Sequence, residues 1–208
     1  MNQVALVVIA KEPLPGRVKT RLSPPCTPDE AARLAEAALL DTLEVVARTP
    51  AARKVLVFDG DPRRFRRDGL VVMPQRGAGL GERLAAAFED VAAPALLVGM
   101  DTPQLTSRLL LDAMRALSAP TVDAVLGPAA DGGYWSVGLK RHAGPVFAGV
   151  PMSCSTTYAN QRARLHELGF RVHEPPPLHD VDTIEDAHAV AREAPRTRFA
   201  AELAALAA

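Results

Sequence analysis

The chain has 208 residues, enough for one medium domain with a sizeable core. Its 24 Lys plus Arg balance 24 Asp plus Glu, so no global field draws it to nucleic acid or to a membrane surface. Cys26 and Cys154 carry no metal-ligand spacing and suit a reducing compartment. With no leader pattern and no apolar run long enough to span a bilayer, the expectation is a soluble, cytoplasmic protein.

The first apolar run, Val4–Ala10, reads as a strand and feeds directly into KEPLPGRVKTRL, Lys11 to Leu22. Four cations, Lys11, Arg17, Lys19 and Arg21, crowd this loop. Gly16 permits a sharp turn, while Pro13 and Pro15 stiffen the chain. Such donors suit phosphate oxygens, although the spacing is neither that of a P-loop nor that of a dinucleotide fingerprint. A solvated basic turn is the plain alternative. Thr27-Pro28-Asp29-Glu30 then announces a helix, with an N-cap, a proline at the first position and a capping box, running to about Ala47.

Val55–Phe58, Leu70–Met73, Ala95–Gly99 and Asp123–Leu126 read as further strands, each too short for an ordinary helix. Gly81–Val91, Ser107–Leu117 and Thr156–Leu168 read as helices, the last closed by Gly169. Thr183 caps another short one, and 196–208 forms a peripheral Ala-rich helix. The alternation predicts an α/β fold with a mostly parallel central sheet covered on both faces, a three-layer sandwich. No repeat or linker interrupts it, so one domain over 1–208 is the economical reading. Ligands in such sheets sit beyond the carboxyl ends of the strands.

Four later segments fall at such ends. GAGLGER, Gly77 to Arg83, offers glycines and free amides at a helix start, where Gly79, Gly81 and Arg83 can face an anion. A flexible turn would look the same. GMDTP places Asp101 just past a strand, as a metal–phosphate complex requires and as ordinary turns also do. DGGYW, Asp131 to Trp135, allows close backbone approach at Gly132 and Gly133, with Asp131 able to accept from hydroxyls. A hairpin turn is the alternative there, and Tyr134 and Trp135 are residue types more often found in cores. In HDVDTIEDA the alternation of Asp180 and Asp182 points two carboxylates to one face, where they repel unless a cation compensates. Glu185 and Asp186 are better explained as helix-start acids. Arg63, Arg64, Arg66 and Arg67 read as a solvated basic turn, with an acidic acceptor as the alternative.

The ordered set K-x-P-x-P-G-R-x-K-T-R-L, G-x-G-L-G-x-R, G-x-D-x-P, D-G-G-Y-W and D-x-D-T-x-E-D resembles a bacterial family of the GT-A-type nucleotide-diphospho-sugar transferase superfamily. Members are commonly labelled glycosyltransferases, some linked to arsenosugar biosynthesis. The set is also similar to the 2-phospho-L-lactate guanylyltransferases. The resemblance spans about Val4 to Ala187 and implies a GT-A-like, Rossmann-like fold. It implies that Lys11, Gly16, Arg17, Lys19 and Arg21 hold nucleotide phosphates, with Gly79, Gly81 and Arg83 beside the nucleotide. Asp101, Asp180 and Asp182 would approach Mg2+ or Mn2+, and Asp131, Gly132, Gly133 and Tyr134 would face the acceptor. Met152-Ser153-Cys154 departs from the Trp-Ser-Thr of related sequences. The expected reaction is metal-dependent nucleotidyl transfer from a nucleoside triphosphate to a small phosphorylated acceptor, with Lys19, Arg17 and Asp101 as the catalytic set. Glycosyl transfer from a nucleotide-diphospho-sugar is the close alternative, and a nucleotide-binding module without turnover the more distant one.

Overall fold

A computed structural model describes residues 4–141 and 145–206. Seven strands form one sheet: β1 (Ala5–Lys11), β2 (Lys54–Asp59), β3 (Leu70–Pro74), β4 (Ala95–Val98), β5 (Ala124–Pro128), β6 (Tyr134–Leu139) and β7 (Val172–His173). Their order across the sheet is β3-β2-β1-β4-β6-β5-β7. β6 pairs antiparallel with both β4 and β5, while every other pairing is parallel, so β6 alone runs against the rest. The α/β, mostly parallel sandwich expected from the sequence is the architecture observed.

Among the described residues six α-helices cover the sheet: α1 (Pro28–Arg48), α2 (Leu80–Val91), α3 (Ser107–Ser118), α4 (Thr157–Glu167), α5 (Ile184–Glu193) and α6 (Arg198–Leu206). Strand alternation divides the core in two. On β1, Leu6, Val8 and Ala10 pack with Leu39 of α1 and Leu110 of α3. Ala5 and Val7 instead face Leu84 and Phe88 of α2 and Leu165 of α4. A third cluster joins the outer side of α1 to α5 and α6 through Leu34, Ala38, Val190, Phe199 and Leu203. α1 is therefore covered on two sides, which is why so much of this 21-residue helix is buried.

The helix signals in the sequence have physical counterparts. The Thr27 side chain accepts from the Glu30 amide, and Glu30 accepts from the Thr27 amide at 2.7 Å, which fixes where α1 starts. Thr183 and Asp186 form the same reciprocal cap on α5, so Asp186 serves the helix start. Gly169 ends α4 with φ +76, as the left-handed stop requires. The C-terminal helix is shorter than expected, starting at Arg198, and residues 207–208 lie outside the described residues.

β6 and β7 are not among the strands anticipated from sequence. β6 does alternate, with Trp135, Val137 and Leu139 set against the small Ser136 and Gly138, but the run is short, follows directly on the Asp131–Gly133 turn, and is buried along nearly its whole length. Gly138 also interrupts the apolar pattern. A Cβ there would lie 3.2 Å from Leu117, Leu96 and Val125, tighter than ordinary packing tolerates. β7 has two residues and no pattern to read. Among the described residues, no helix is long and apolar enough to cross a membrane.

Leu96 lies fully buried on β4, between β1 and β6. Leu96→Ala is expected to cost about 2–5 kcal/mol in urea unfolding. Val71→Ala on the exposed edge strand should stay within about 0.5 kcal/mol. A loss below about 1 kcal/mol at Leu96 would contradict this packing.

Candidate active site

The carboxyl ends of β1 and β4 open into a cleft of about 750 Å3. Lys11, Arg17, Lys19 and Arg21 line one side, Asp101 and Asp182 another, and Ala78, Leu80 and Arg83 a third. The floor includes Ile9, Gly99 and Ser136. Segments far apart in sequence, around residues 11–21, 78–83, 99–101 and 182, are thus brought to one place by the strand order.

Lys19 is the centre of the arrangement. Its backbone has φ +48, a left-handed conformation uncommon outside glycine. Such outliers cost on the order of 1–3 kcal/mol and persist only where surroundings hold them. Here the side chain, 8% exposed, turns inward so that Nζ lies 2.7 Å from Asp101 Oδ1 and 3.5 Å from Asp182 Oδ1. Burial alone would push the ammonium toward its neutral form. The Asp101 carboxylate outweighs that, with Asp182 and Asp180 adding, and the Lys19 pKa ends above its usual value. The charge is therefore fixed at any physiological pH.

The loop's other cations are differently placed. Arg21 donates to Asp182 Oδ2 at 2.7 Å. Lys11 and Arg17 face the cleft, and among the described residues neither forms an ion pair. Gly16 adopts φ +72 with open space around its α-carbon, so it serves the turn and does not line the cleft.

The carboxylates are gathered by backbone hydrogen bonds. Leu178 donates to the Pro128 carbonyl and accepts from the Ala130 amide, extending β5 outward. Three residues later Val181 donates to the Asp101 carbonyl at 3.0 Å. The 178–182 segment thus threads between the 128–131 turn and the loop after β4. Ligand oxygens of Asp131, Asp180 and Asp182 come within 4.8 Å of one another. Asp180 and Asp182 do share a face, as their alternation predicts. Their third companion is Asp131, which the sequence reading set on the acceptor side. Asp101, grouped with them there, stands apart as the main partner of Lys19. Proximity in this fold depends on which turns flank the threaded segment, and local spacing does not encode that.

Burial of Asp180, followed by repulsion from Asp131 and then Asp182, raises its pKa to about 6. Asp131 is oriented by the Gly133 amide, which donates to its Oδ1 at 2.6 Å. Gly132 makes the turn at φ +88, and a Cβ there would meet the Ser155 carbonyl oxygen at 2.0 Å. Tyr134 also lines the cleft. Its hydroxyl has a weak partner, Met152 Sδ at 3.7 Å, and burial raises its pKa. Trp135 is a core residue, its indole donating to the Pro176 carbonyl.

The GAGLGER segment divides its work. Arg83 reaches Asp59 Oδ2 at 2.7 Å and Gln75 Oε1 at 3.1 Å, bracing the cleft wall. Gly79 caps α2, and Gly81 sits within it, where a Cβ would come 3.4 Å from the Met152 methyl. Neither glycine lines the cleft, whereas Ala78 and Leu80 do. The Ala78 amide is already taken by Glu82 Oε2 at 2.7 Å. Gln75, which sequence reasoning missed, ties the wall together by donating to the Ala10 carbonyl at 2.7 Å. Its position at the end of β3 was the available signal. Arg63, Arg64, Arg66 and Arg67 are exposed, with Arg63 paired to Asp61 and Arg64 to Glu36, as on a solvated turn, while Phe65 between them is buried and anchors the segment to the core.

The chain belongs to the family described as "Uncharacterized protein conserved in bacteria (DUF2064)", whose profile matches residues 42–154. In structure it is similar to a candidate nucleotide-diphospho-sugar transferase from Desulfovibrio desulfuricans G20. That similarity has 29% identity and a TM-score of 0.86, over 98% of this chain and 94% of that one. CMP:2-keto-3-deoxy-manno-octonic acid synthetase, solved with CTP, shares the fold at 15% identity and a TM-score of 0.57, covering 90% and 96%. So does Rv0371c of Mycobacterium tuberculosis H37Rv, solved with manganese, at 20% identity and a TM-score of 0.51, covering 90% and 97%. None of the curated proteins matches the sequence.

In metal-free protein the Asp180 carboxyl, followed by carbon-13 NMR, should titrate with a midpoint near 6. Ordinary aspartates titrate near 4. Asp131→Asn removes one repelling charge and should lower the midpoint. A wild-type midpoint near 4 would contradict the clustered geometry.

Proposed function

We propose that this chain is a nucleotide-utilising transferase, and that its reaction is nucleotidyl transfer from a nucleoside triphosphate to a small phosphorylated acceptor. The observation that carries this reading is the buried Lys19 ammonium, held between Asp101 and Asp182 where β1 and β4 end, with Lys11 and Arg17, which form no ion pair among the described residues, beside it. A permanently charged donor of this kind suits the charge that builds on phosphate oxygens during transfer.

The site also suits a divalent cation. Asp131, Asp180 and Asp182 offer an all-oxygen donor set, which hard ions such as Mg2+ and Mn2+ prefer. Manganese in the fold relative Rv0371c agrees with that chemistry. A bound ion there would supply positive charge against the phosphate oxygens. In this reading Asp180 and Asp182 hold it with Asp131, while Asp101 keeps Lys19 charged and in position.

Lys19, Arg17, Lys11 and Arg21 hold the triphosphate, with Ala78, Leu80 and Arg83 on the nucleoside side. Gly132, Gly133 and Tyr134 border the acceptor. An oxygen of the acceptor's phosphate attacks the α-phosphorus. The bond from that phosphorus to the bridging oxygen breaks, and pyrophosphate leaves with the electron pair. No side chain has to form a covalent bond, so positioning and charge carry the catalysis. The Desulfovibrio relative favours a second reading, glycosyl transfer from a nucleotide-diphospho-sugar.

The released product separates the two. Incubated with Mg2+ and a panel of sugar phosphates, the protein should release pyrophosphate from one nucleoside triphosphate. Release of nucleoside diphosphate from a nucleotide-sugar would favour the second reading, and no turnover with any pair would sink both. Lys19→Ala should lower kcat about 10²–10³-fold with the circular dichroism spectrum kept. Turnover within about threefold of wild type would refute the role given to Lys19.

A further inference from the structure

The two oxygens of Asp182 each meet a cation: Lys19 Nζ lies 3.5 Å from Oδ1, and Arg21 Nη1 lies 2.7 Å from Oδ2. Yet Asp182 is also one of the three carboxylates of the acidic cluster. A divalent ion taking Asp182 must therefore compete with groups of its own sign. The two competitors are unequal. Lys19 is buried and has Asp101 as a closer anchor. Arg21 is 70% exposed at its side chain, and among the described residues Asp182 is its one carboxylate partner. Arg21 can swing away at little cost, since exposed ion pairs are weak.

What would draw it away is an anion in the same cleft, which Arg21 lines together with Lys11 and Arg17. A guanidinium fits phosphate oxygens in the same paired fashion in which it fits a carboxylate. We infer that Arg21 is a built-in counter-ion that occupies Asp182 until a polyphosphate recruits it, so that polyphosphate and divalent cation bind this cleft cooperatively. The inference rests on the metal reading proposed above and adds to it an order of events. Metal alone meets a carboxylate already neutralised, and polyphosphate alone meets an arginine already held. Each ligand removes the obstacle to the other, and by linkage the two effects are equal in size.

The variant Arg21→Gln gives a signature that mere loss of structure cannot. Binding of Mn2+ to full-length, ligand-free protein is followed by the paramagnetic resonance signal of the free ion. Binding of tripolyphosphate is measured by calorimetry in metal-free buffer. Arg21→Gln should bind Mn2+ about three- to tenfold more tightly than wild type and tripolyphosphate more weakly. Arg33→Gln, which breaks a remote pair with Glu202, should change neither. If wild type binds Mn2+ and Asp182→Asn does not, but Arg21→Gln leaves the Mn2+ affinity unchanged or weaker, the coupling is overturned while the metal reading stands. If no form binds Mn2+, or Asp182→Asn binds it as wild type does, the metal reading falls and takes the coupling with it.

Discussion

An ammonium group taken out of water must find compensating charge, because its desolvation costs several kcal/mol or more if it stays unpaired. Lys19 meets that requirement through Asp101 and Asp182, which lie 82 and 163 positions further along the chain. Much of the local structure follows from joining these three points. β1 and β4 must be neighbours, so that the loops leaving them converge. The 178–182 segment must return across the sheet and bind the Asp101 carbonyl through Val181. The backbone at Lys19 must take a left-handed turn to aim the side chain inward. Each is a cost or constraint that a purely structural loop would have no reason to carry.

The cleft then reads as a balance of fixed opposite charges around a void. Four cations come from one loop and Arg83 from α2, while carboxylates come from three separate turns. The chain as a whole is neutral, so this separation is local and does not depend on long-range attraction. Neutralisation within the site also explains how so many charges tolerate partial burial. Asp180 is the exception. It has acidic neighbours on two sides and is the group whose pKa rises toward neutrality. A cluster strained in this way gains most from an added cation.

The sequence was most legible where structure is local. The Thr27 capping box, the Pro28 start and the apolar period of α1 located a helix that the structure reproduces almost to the residue. Five of the strands were visible as short aliphatic runs, and the basic loop stood out by composition. The antiparallel β6 was hidden because its alternating run from Trp135 to Leu139 is short and starts at a glycine-rich turn, with Gly138 standing where a larger apolar residue would have strengthened the pattern. The site was legible as a set of residues and illegible as a set of partners. That Asp101 pairs with Lys19, and that Asp131 joins Asp180 and Asp182, depends on which loops the strand order makes neighbours. The glycines of GAGLGER misled in a different way. Their signal for close approach was real, but in Gly77 and Gly81 the approaching group is protein, Glu82 and Met152.

If the Lys19 cleft takes a nucleotide polyphosphate together with a divalent cation, the two should stabilise the fold jointly. Thermal unfolding with each nucleoside triphosphate, with and without Mg2+, reads this out. A ligand bound only by the folded state stabilises it by about 2.7 kcal/mol at 100 times Kd, enough to move Tm by several degrees. Tm should rise only when both triphosphate and Mg2+ are present, and the rise should disappear in Lys19→Ala. A Tm unmoved by every triphosphate and nucleotide-sugar, with or without Mg2+, would rule that cleft out as a nucleotide site.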